Sequence, residues 1–258
     1  MSPTTGGRLN GEVAIVTGAT SGLGIEIARL FVAEGARVLI TGRNAERGAK
    51  AAVRTGAEFV RADLSNDDDL AALVDRAATR YGVISVLVNN ANSADATSTD
   101  GPVAEVTRQA WEQMLQVDVV GAALLCSLVI PHMLREGRGS IVQVSSRVAA
   151  LGTPGLTAYG SAKAAQEALA RAITIDYGRR GIRCNTVRPG YIIHEDRDAQ
   201  LEGERLARVT DMHLTRIPTA TDVAYAVLYL ASRESEVISG VALPVDGGSS
   251  AVRGRTLG

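Results

Sequence analysis

The sequence predicts an α/β fold in which a single domain holds a doubly wound sheet of about seven parallel strands, with helices on both faces. The chain alternates short runs rich in Val and Ile with longer amphipathic runs. Most of the short runs lack a polar/apolar alternation, which is typical of strands covered by helices on both faces. No internal repeat or long linker interrupts the pattern, so we expect residues 1–258 to form one domain.

The elements follow in regular order. The strand-like runs are 13–17, 37–41, 58–61, 86–88, 140–144, 183–187 and 242–245. The helix-like runs lie near 22–34, 44–54, 66–80, 105–133, 156–179 and 220–232. The third helix is preceded by Ser65 and Asn66 and opens on three aspartates, which are favourable at a helix N-terminus.

Two stretches break this alternation. Residues 91–104 are small and polar and follow the fourth strand, and residues 190–217 follow the sixth. Ligands of open α/β sheets bind beyond the carboxyl ends of the strands, so we expect both loops to border the site. The second is interpreted as a substrate loop, or lid. The tail 249–258 has no assigned role.

Composition excludes several classes of protein. The formal net charge is −1, with no basic patch for nucleic acid. The longest nearly apolar run, 119–130, is too short to span a membrane, and no signal peptide is visible. Two cysteines and three histidines show no disulfide framework and no metal-ligand spacing. We therefore expect a cytoplasmic protein without a metal site, nucleic-acid partner or membrane partner.

A glycine-rich turn joins the first strand to the first helix. Glycines at this place let the backbone turn tightly and approach a pyrophosphate, which then lies at the helix N-terminus. The turn therefore predicts dinucleotide binding. Its candidate cofactor-binding residues are Thr17, Gly18, Ser21, Gly22, Leu23 and Gly24.

The spacing of this turn resembles the TGxxxGxG fingerprint of the short-chain dehydrogenase/reductase family, which has a Rossmann-type fold. Further matches are Asn89-Asn90-Ala91, Tyr159 with Lys163, Arg188-Pro189-Gly190 and Asp246-Gly247-Gly248. Within the family, members resembling 3-oxoacyl-acyl-carrier-protein reductases are among the closest in pattern. The resemblance implies a homo-oligomer, commonly a dimer of dimers, paired through the helix that carries Tyr159.

Tyr159 and Lys163 lie four residues apart on a predicted helix, so both side chains project from one face. A nearby ammonium favours tyrosinate, the form that acts as a general base. The resemblance gives Lys163 a second role in holding the cofactor ribose, for which a guanidinium is a poor substitute. Only Lys50 and Lys163 are lysines among 27 basic residues.

The resemblance places a catalytic serine at Ser146, thirteen residues before Tyr159, although Ser145 is chemically eligible too. Three positions depart from the family pattern. Asp118 replaces an asparagine of the proton relay, which it either assists or disturbs. Asn92 replaces a glycine, and His194 replaces a threonine that binds the nicotinamide carboxamide.

The end of the second strand indicates the cofactor. Gly42 occupies the position where NAD-preferring relatives carry an acid, and Arg43 follows it. A guanidinium binds a 2′-phosphate through charge-assisted hydrogen bonds, so NADP is predicted and NAD is less favoured. By resemblance, the remaining cofactor contacts are Asp63 and Leu64 at the adenine, Asn90 and Lys163 at the ribose, and Tyr159 and Ile192 near the nicotinamide.

These observations predict an oxidoreductase that transfers a hydride between NADP(H) and a ketone or secondary alcohol. Tyr159 exchanges the proton, Lys163 supports it, Ser146 positions the carbonyl and Asp118 assists the relay. The alternative is an NADP(H)-binding sensor or interaction protein with little catalysis. The substrate stays open: Val148, Leu151 and Ile193 belong to a set that suggests a partly apolar pocket. Reduction of a carrier-bound 3-oxoacyl thioester would use an arginine patch, for which the candidates are Arg147, Arg197 and Arg205. Reduction of a sugar, a steroid or a small aliphatic ketone stays open as well.

Overall fold

Seven parallel strands form one sheet in the computed structural model, which describes residues 6–93, 98–193, 198 and 201–251. In chain order the strands are β1 (Val13–Thr17), β2 (Arg37–Gly42), β3 (Glu58–Arg61), β4 (Val86–Asn89), β5 (Gly139–Val144), β6 (Ile182–Pro189) and β7 (Ala242–Val245). Their spatial order is β3-β2-β1-β4-β5-β6-β7, and every neighbouring pair is parallel. The predicted fold class is confirmed. The strand order reverses between β1 and β4, where such sheets bind ligands.

Helices cover both faces of the sheet. They are α1 (Gly22–Ala33), α2 (Ala45–Thr55), α3 (Asp67–Tyr81), α4 (Arg108–Leu115), α5 (Ala122–Arg135), α6 (Thr157–Tyr177), α7 (Gly203–Asp211) and α8 (Ala220–Ala231). One apolar core joins α1, α2 and α8 to the sheet, and the other joins α3, α5 and α6 to the opposite face. The first four residues of β1, 13–16, alternate between the two cores, which explains why all four are apolar.

The helix predicted over 105–133 differs from the observed one. Its middle part, Gln116–Gly121, is a π-helical segment between α4 and α5. A Cβ at Gly121 would lie 2.3 Å from the carbonyl oxygen of Leu64, so this position requires glycine. The apolar spacing around the segment resembles that of an α-helix, and the sequence pattern did not reveal the wider turn. Helix α7 was not predicted either, and it lies within the predicted substrate loop.

The helical run from Arg108 to Arg135 is long and apolar enough to cross a membrane by length and composition. The core helix of a soluble protein meets the same criterion, so this is weak evidence for a span. Within the protein, Leu125, Val129 and Met133 of this run are fully buried against α3 and the sheet. The apolar run 119–130 in the sequence is shorter because Asp118 and Pro131 flank it.

Both cysteines are buried and free. Burial raises the pKa of the Cys126 thiol to about 12 and that of Cys184 well above its usual value. They therefore pack as small apolar side chains in the core beneath α5. In the part of the chain that the structure describes, no group of three His, Cys, Asp or Glu side chains is placed to hold a metal ion.

Candidate active site

The glycine-rich turn lies between β1 and α1, at the carboxyl edge of the sheet. Gly18 has a φ of +63°, and a Cβ there would lie 2.6 Å from Cα of Ala91. A Cβ at Gly24 would lie 2.5 Å from the carbonyl oxygen of Gly18. Two of the predicted glycines are therefore required by close backbone packing.

The N-terminus of α1 has no side-chain cap from its own N-cap residue. Ser21 is its N-cap residue but makes no side-chain capping hydrogen bond, and the first turn contains no acidic side chain. The first backbone N–H groups of a helix have no partner within it, and the helix dipole adds positive potential there. The predicted residues Gly22 and Leu23 open this helix. The residues present thus fit the pyrophosphate of a dinucleotide.

Thr17 and Asn90 connect the ends of β1 and β4. The Thr17 hydroxyl oxygen accepts hydrogen bonds of 3.0 Å from the N–H groups of both Asn90 and Ala91. In return, Asn90 Nδ2 donates to the carbonyls of Thr17 and Gly18, at 2.9 and 3.1 Å. Because the Thr17 side chain is fully buried, it acts by fixing the backbone of the turn.

The end of β2 and the turn after β3 lie side by side. A Cβ at Gly42 would lie 2.8 Å from Cγ2 of Thr20, so an acidic residue there would have to displace Thr20. Burial tends to raise the pKa of Asp63, but hydrogen bonds from Ser65 and the positive charge of Arg43 lower it overall. The predicted contact residue Leu64 is buried, and its carbonyl faces Gly121.

Tyr159 is partly exposed in the first turn of α6, a turn held by a residue that the sequence did not single out. The α6 N-cap residue, Leu156, offers no side-chain cap. The Asp100 carboxylate takes its place, accepting from the N–H of Ala158 at 3.0 Å and from that of Tyr159 at 2.9 Å. Asp100 thereby ties the 91–104 loop to the helix that carries Tyr159.

Lys163 lies one turn further along α6 and is 1 % exposed. Its Nζ is 5.6 Å from the centre of the Tyr159 ring. It donates hydrogen bonds to the carbonyl of Val144 at 3.1 Å and to Gln166 Oε1 at 3.2 Å. Burial lowers the pKa of the Lys163 ammonium, but Asp118 and Tyr159 more than offset this, so the pKa lies above its usual value.

The two candidate serines have different environments. Ser145 is buried, and its hydroxyl donates to the carbonyl of Lys163 and to Glu167 Oε1, at 3.2 and 3.0 Å. Ser146 is partly exposed, and its hydroxyl accepts a long contact of 3.4 Å from the N–H of Val148, the one hydrogen bond it makes among the described residues. The short 3-10 turn that follows it, Arg147–Ala149, packs on α6. Geometry therefore favours Ser146 as the serine available to a substrate.

Comparison with known proteins decides the family. The family model described as enoyl-(acyl carrier protein) reductase matches residues 18–250. The chain is 38 % identical to the NADP-dependent (R)-specific alcohol dehydrogenase of Lentilactobacillus kefiri, over 95 % of this chain and 98 % of that protein. It belongs to the short-chain dehydrogenase/reductase family. Members of this family are oxidoreductases that act on alcohols and ketones.

Two further relatives support the assignment. The 3-oxoacyl-[acyl-carrier-protein] reductase of Chlamydia muridarum is 34 % identical over 92 % of this chain and 96 % of its own length. A solved structure of a short-chain type dehydrogenase/reductase from Mycobacterium ulcerans superposes with a TM-score of 0.90. It is 28 % identical, and the match covers 95 % of this chain and 92 % of that one. The predicted resemblance is confirmed.

The departures of this short-chain dehydrogenase/reductase from the family pattern have different consequences. Asn92 is exposed, and none of the described non-glycine residues has a positive φ, so the position does not require glycine. Asp118 lies in the π-helical segment, fully buried, with Oδ1 2.9 Å from Lys163 Nζ. His194 lies outside the described residues, as does Arg197.

The segment predicted to border the substrate carries apolar side chains that are at least partly exposed, among them Ile193, which is 47 % exposed, and the predicted contact residue Ile192. The two described members of the proposed arginine patch have separate contacts. Arg147 donates to Met212 Sδ, beyond α7, and Arg205 lies 3.9 Å from Asp198.

Sequence reasoning missed three groups at this site, namely Asp100, Gln166 and Ser93. Gln166 had a detectable signal, because it lies three residues after Lys163 on one helix face. Its Nε2 also donates to the carbonyl of Asp118 at 2.7 Å. Asp100 and Ser93 had no such signal, because Asp100 contacts the start of α6 and Ser93 contacts Asp118, both distant in sequence.

Proposed function

We propose that the protein is an NADP(H)-dependent oxidoreductase that interconverts a small ketone and a secondary alcohol. The observation that carries this proposal is the pair formed by Tyr159 and Lys163. A partly exposed phenol lies next to a buried ammonium at the carboxyl edge of the sheet, the edge that also carries the glycine-rich turn. Tyr159 is thus accessible to a substrate, while the charge that assists its ionisation is protected from water.

Bound NADP(H) would supply or accept the hydride. The turn from Gly18 to Gly24 and the N-terminus of α1 would bind its pyrophosphate, and Arg43 its 2′-phosphate. Asp63 and Leu64 would lie at the adenine, Asn90 and Lys163 at the ribose, and Ile192 at the nicotinamide, as the resemblance implies. Preference for NADP over NAD rests on Gly42 and Arg43, and tighter binding of NAD would contradict it.

The chemistry of the chain's own side chains is proton exchange and orientation. Tyr159 would donate a proton to the ketone oxygen in reduction and withdraw it from the alcohol in oxidation. Ser146 would donate a hydrogen bond to the same oxygen, where negative charge develops as the hydride adds. Lys163 would favour the ionised form of the Tyr159 phenol. Asp118 lies next to the Lys163 ammonium. The loop 190–217 would cover the substrate.

The test is to measure turnover with NADPH and a panel of ketones, using the change in absorbance at 340 nm. We expect Tyr159→Phe to lower kcat by at least a hundredfold, because general acid–base catalysis typically contributes 10²–10⁴-fold. NADPH binding, measured by fluorescence, should persist in this variant. Tyr225→Phe is the control, since Tyr225 is 50 % exposed on α8, and it should leave kcat unchanged.

Two outcomes would contradict the proposal. Unchanged turnover in Tyr159→Phe would remove Tyr159 from the mechanism. Binding of NADPH by the wild-type protein with no consumption by any ketone would favour a sensor or interaction protein instead.

A cytoplasmic location remains a prediction.

A further inference from the structure

Asp118 and Lys163 form an ion pair that is closed off from solvent. Their side chains are 0 % and 1 % exposed, and Asp118 Oδ1 lies 2.9 Å from Lys163 Nζ. The approach is not aligned as a hydrogen bond, and among the described residues Oδ1 has no hydrogen-bond partner. The contact is therefore electrostatic, in a region where charges interact more strongly than in water.

The rest of the network fixes both members of the pair. The second carboxylate oxygen, Asp118 Oδ2, accepts from the N–H of Ser93 at 2.8 Å. Gln166 bridges the pair, since its Oε1 accepts from Lys163 and its Nε2 donates to the Asp118 carbonyl. An asparagine could keep the contacts with Ser93 and Gln166, with its amide oxygen toward Ser93 and its NH2 group, which accepts no hydrogen bond, toward Lys163.

We propose that Asp118 acts through Lys163 to raise the pH at which Tyr159 ionises, by cancelling part of the ammonium charge that would otherwise favour tyrosinate. This inference rests on the proposed function of Tyr159 as the proton-exchanging group. The phenol experiences the combined potential of an ammonium and a carboxylate, which is weaker than that of an ammonium alone. Oxidation of an alcohol, which needs the ionised phenol, would then reach its full rate only at higher pH.

Other charges around Tyr159 do not replace this effect. Asp100 accepts from the N–H of Tyr159 and also opposes ionisation. Glu167, further along α6, is neutralised by Arg188, whose Nη2 lies 2.6 Å from its carboxylate. The other charged side chains on elements packed against α6 are Arg108, Glu112, Arg147, Arg179, Arg180 and Arg183.

The decisive variant is Asp118→Asn, which removes the charge and keeps the size and the acceptor for Ser93. Tyrosinate absorbance is titrated in Asp118→Asn and in Asp118→Asn/Tyr159→Phe, and the difference isolates Tyr159 from the other tyrosines. The same difference is taken for the wild-type protein and Tyr159→Phe. We expect the midpoint of the Tyr159 titration to be about one pH unit lower in Asp118→Asn than in the wild-type protein. An unchanged or higher midpoint would overturn the proposal, and so would an unshifted acid limb of kcat/KM for alcohol oxidation.

Glu12→Gln is the matched control. Glu12 is 8 % exposed and paired with Arg138, but it precedes β1 at the opposite edge of the sheet. Removing the Glu12 charge should leave the Tyr159 midpoint unchanged. If the loss of any buried carboxylate disturbed the structure, the Tyr159 midpoint would move in both Asp118→Asn and Glu12→Gln.

A second variant covers failure of Asp118→Asn to fold. The double variant Asp118→Asn/Lys163→Gln leaves no unpaired buried charge. If Asp118 cancels part of the Lys163 charge, the Tyr159 midpoint rises by less than about two pH units, the effect expected of a full charge at this range. A larger rise would overturn the proposal. The titration needs no turnover, so a shifted midpoint in a protein that reduces no ketone would refute only the proposed function.

Discussion

Lys163 shows how one residue type is selected by its surroundings. The side chain is fully buried, and its ammonium lies among three oxygen atoms, those of the Val144 carbonyl, Gln166 and Asp118. Arginine is longer, and its planar fork cannot match that arrangement. Lysine is rare in this chain, and of its two lysines only Lys163 lies where the surroundings require a compact ammonium. Lys50, the other lysine, is exposed and pairs with Glu46 on α2.

Lys163→Arg should lose at least a hundredfold in kcat and also lose some stability. Fitting the larger side chain into a packed site costs about 1–3 kcal/mol, while the ribose and the phenol lose a compact ammonium. Turnover at 340 nm and thermal unfolding followed by circular dichroism measure the two effects. Lys50→Arg is the control and should change neither. Full activity in Lys163→Arg would show that any cation suffices.

At the scale of elements, α6 depends on a loop that is distant in sequence. Its own N-cap position supplies no side-chain acceptor, and Asp100 fills that role across the site. A carboxylate at this end also interacts favourably with the helix dipole. The first turn of α6 carries Tyr159, so the cap holds in place the residue that is proposed to exchange the proton.

Asp100→Ala should destabilise the protein by about 1–2 kcal/mol, the usual effect of losing a helix cap. It should also lower kcat more than it raises KM, because the first turn of α6 would fray around Tyr159. Urea unfolding and steady-state kinetics test both effects. Thr219→Ala removes the cap of α8 and should reduce stability without a matching loss of kcat. If both variants kept full kcat, the Asp100 cap would be purely structural.

At the scale of the whole molecule, the outer face of α6 is exposed in the isolated chain. Ser161, Ala168 and Ile175 lie seven residues apart on this face, and Ile175 is 80 % exposed. Small residues allow two helices to approach closely, and an exposed isoleucine gains from being covered. The dimer of dimers implied by the family resemblance would place this face between copies, and it remains a prediction.

Sedimentation velocity should show a particle of four chains of 26.9 kDa each. Ala168→Arg should reduce that mass, because a guanidinium would have to be buried between two helices. The variant should still fold, since Ala168 is exposed within one chain. Val53→Arg, on the exposed face of α2, is the control and should leave the mass unchanged. A tetramer that tolerates Ala168→Arg would place the interface elsewhere.

The sequence by itself determined the fold class, the strand positions, the glycine-rich turn and the shared face of Tyr159 and Lys163. These features are local: they depend on apolar periodicity and on spacings within one turn or one helix. For the same reason the π-helical segment was missed, because one extra residue in a turn hardly changes the apolar pattern.

Only the tertiary structure decided how the site is completed. It separated Ser146 from the buried Ser145, brought Asp100 to the start of α6 and placed Asp118 against Lys163. Asp118 and Lys163 belong to different helices, and their distance depends on how both helices pack on the sheet. A spacing in sequence cannot encode such a distance, because the packing of the intervening elements sets it.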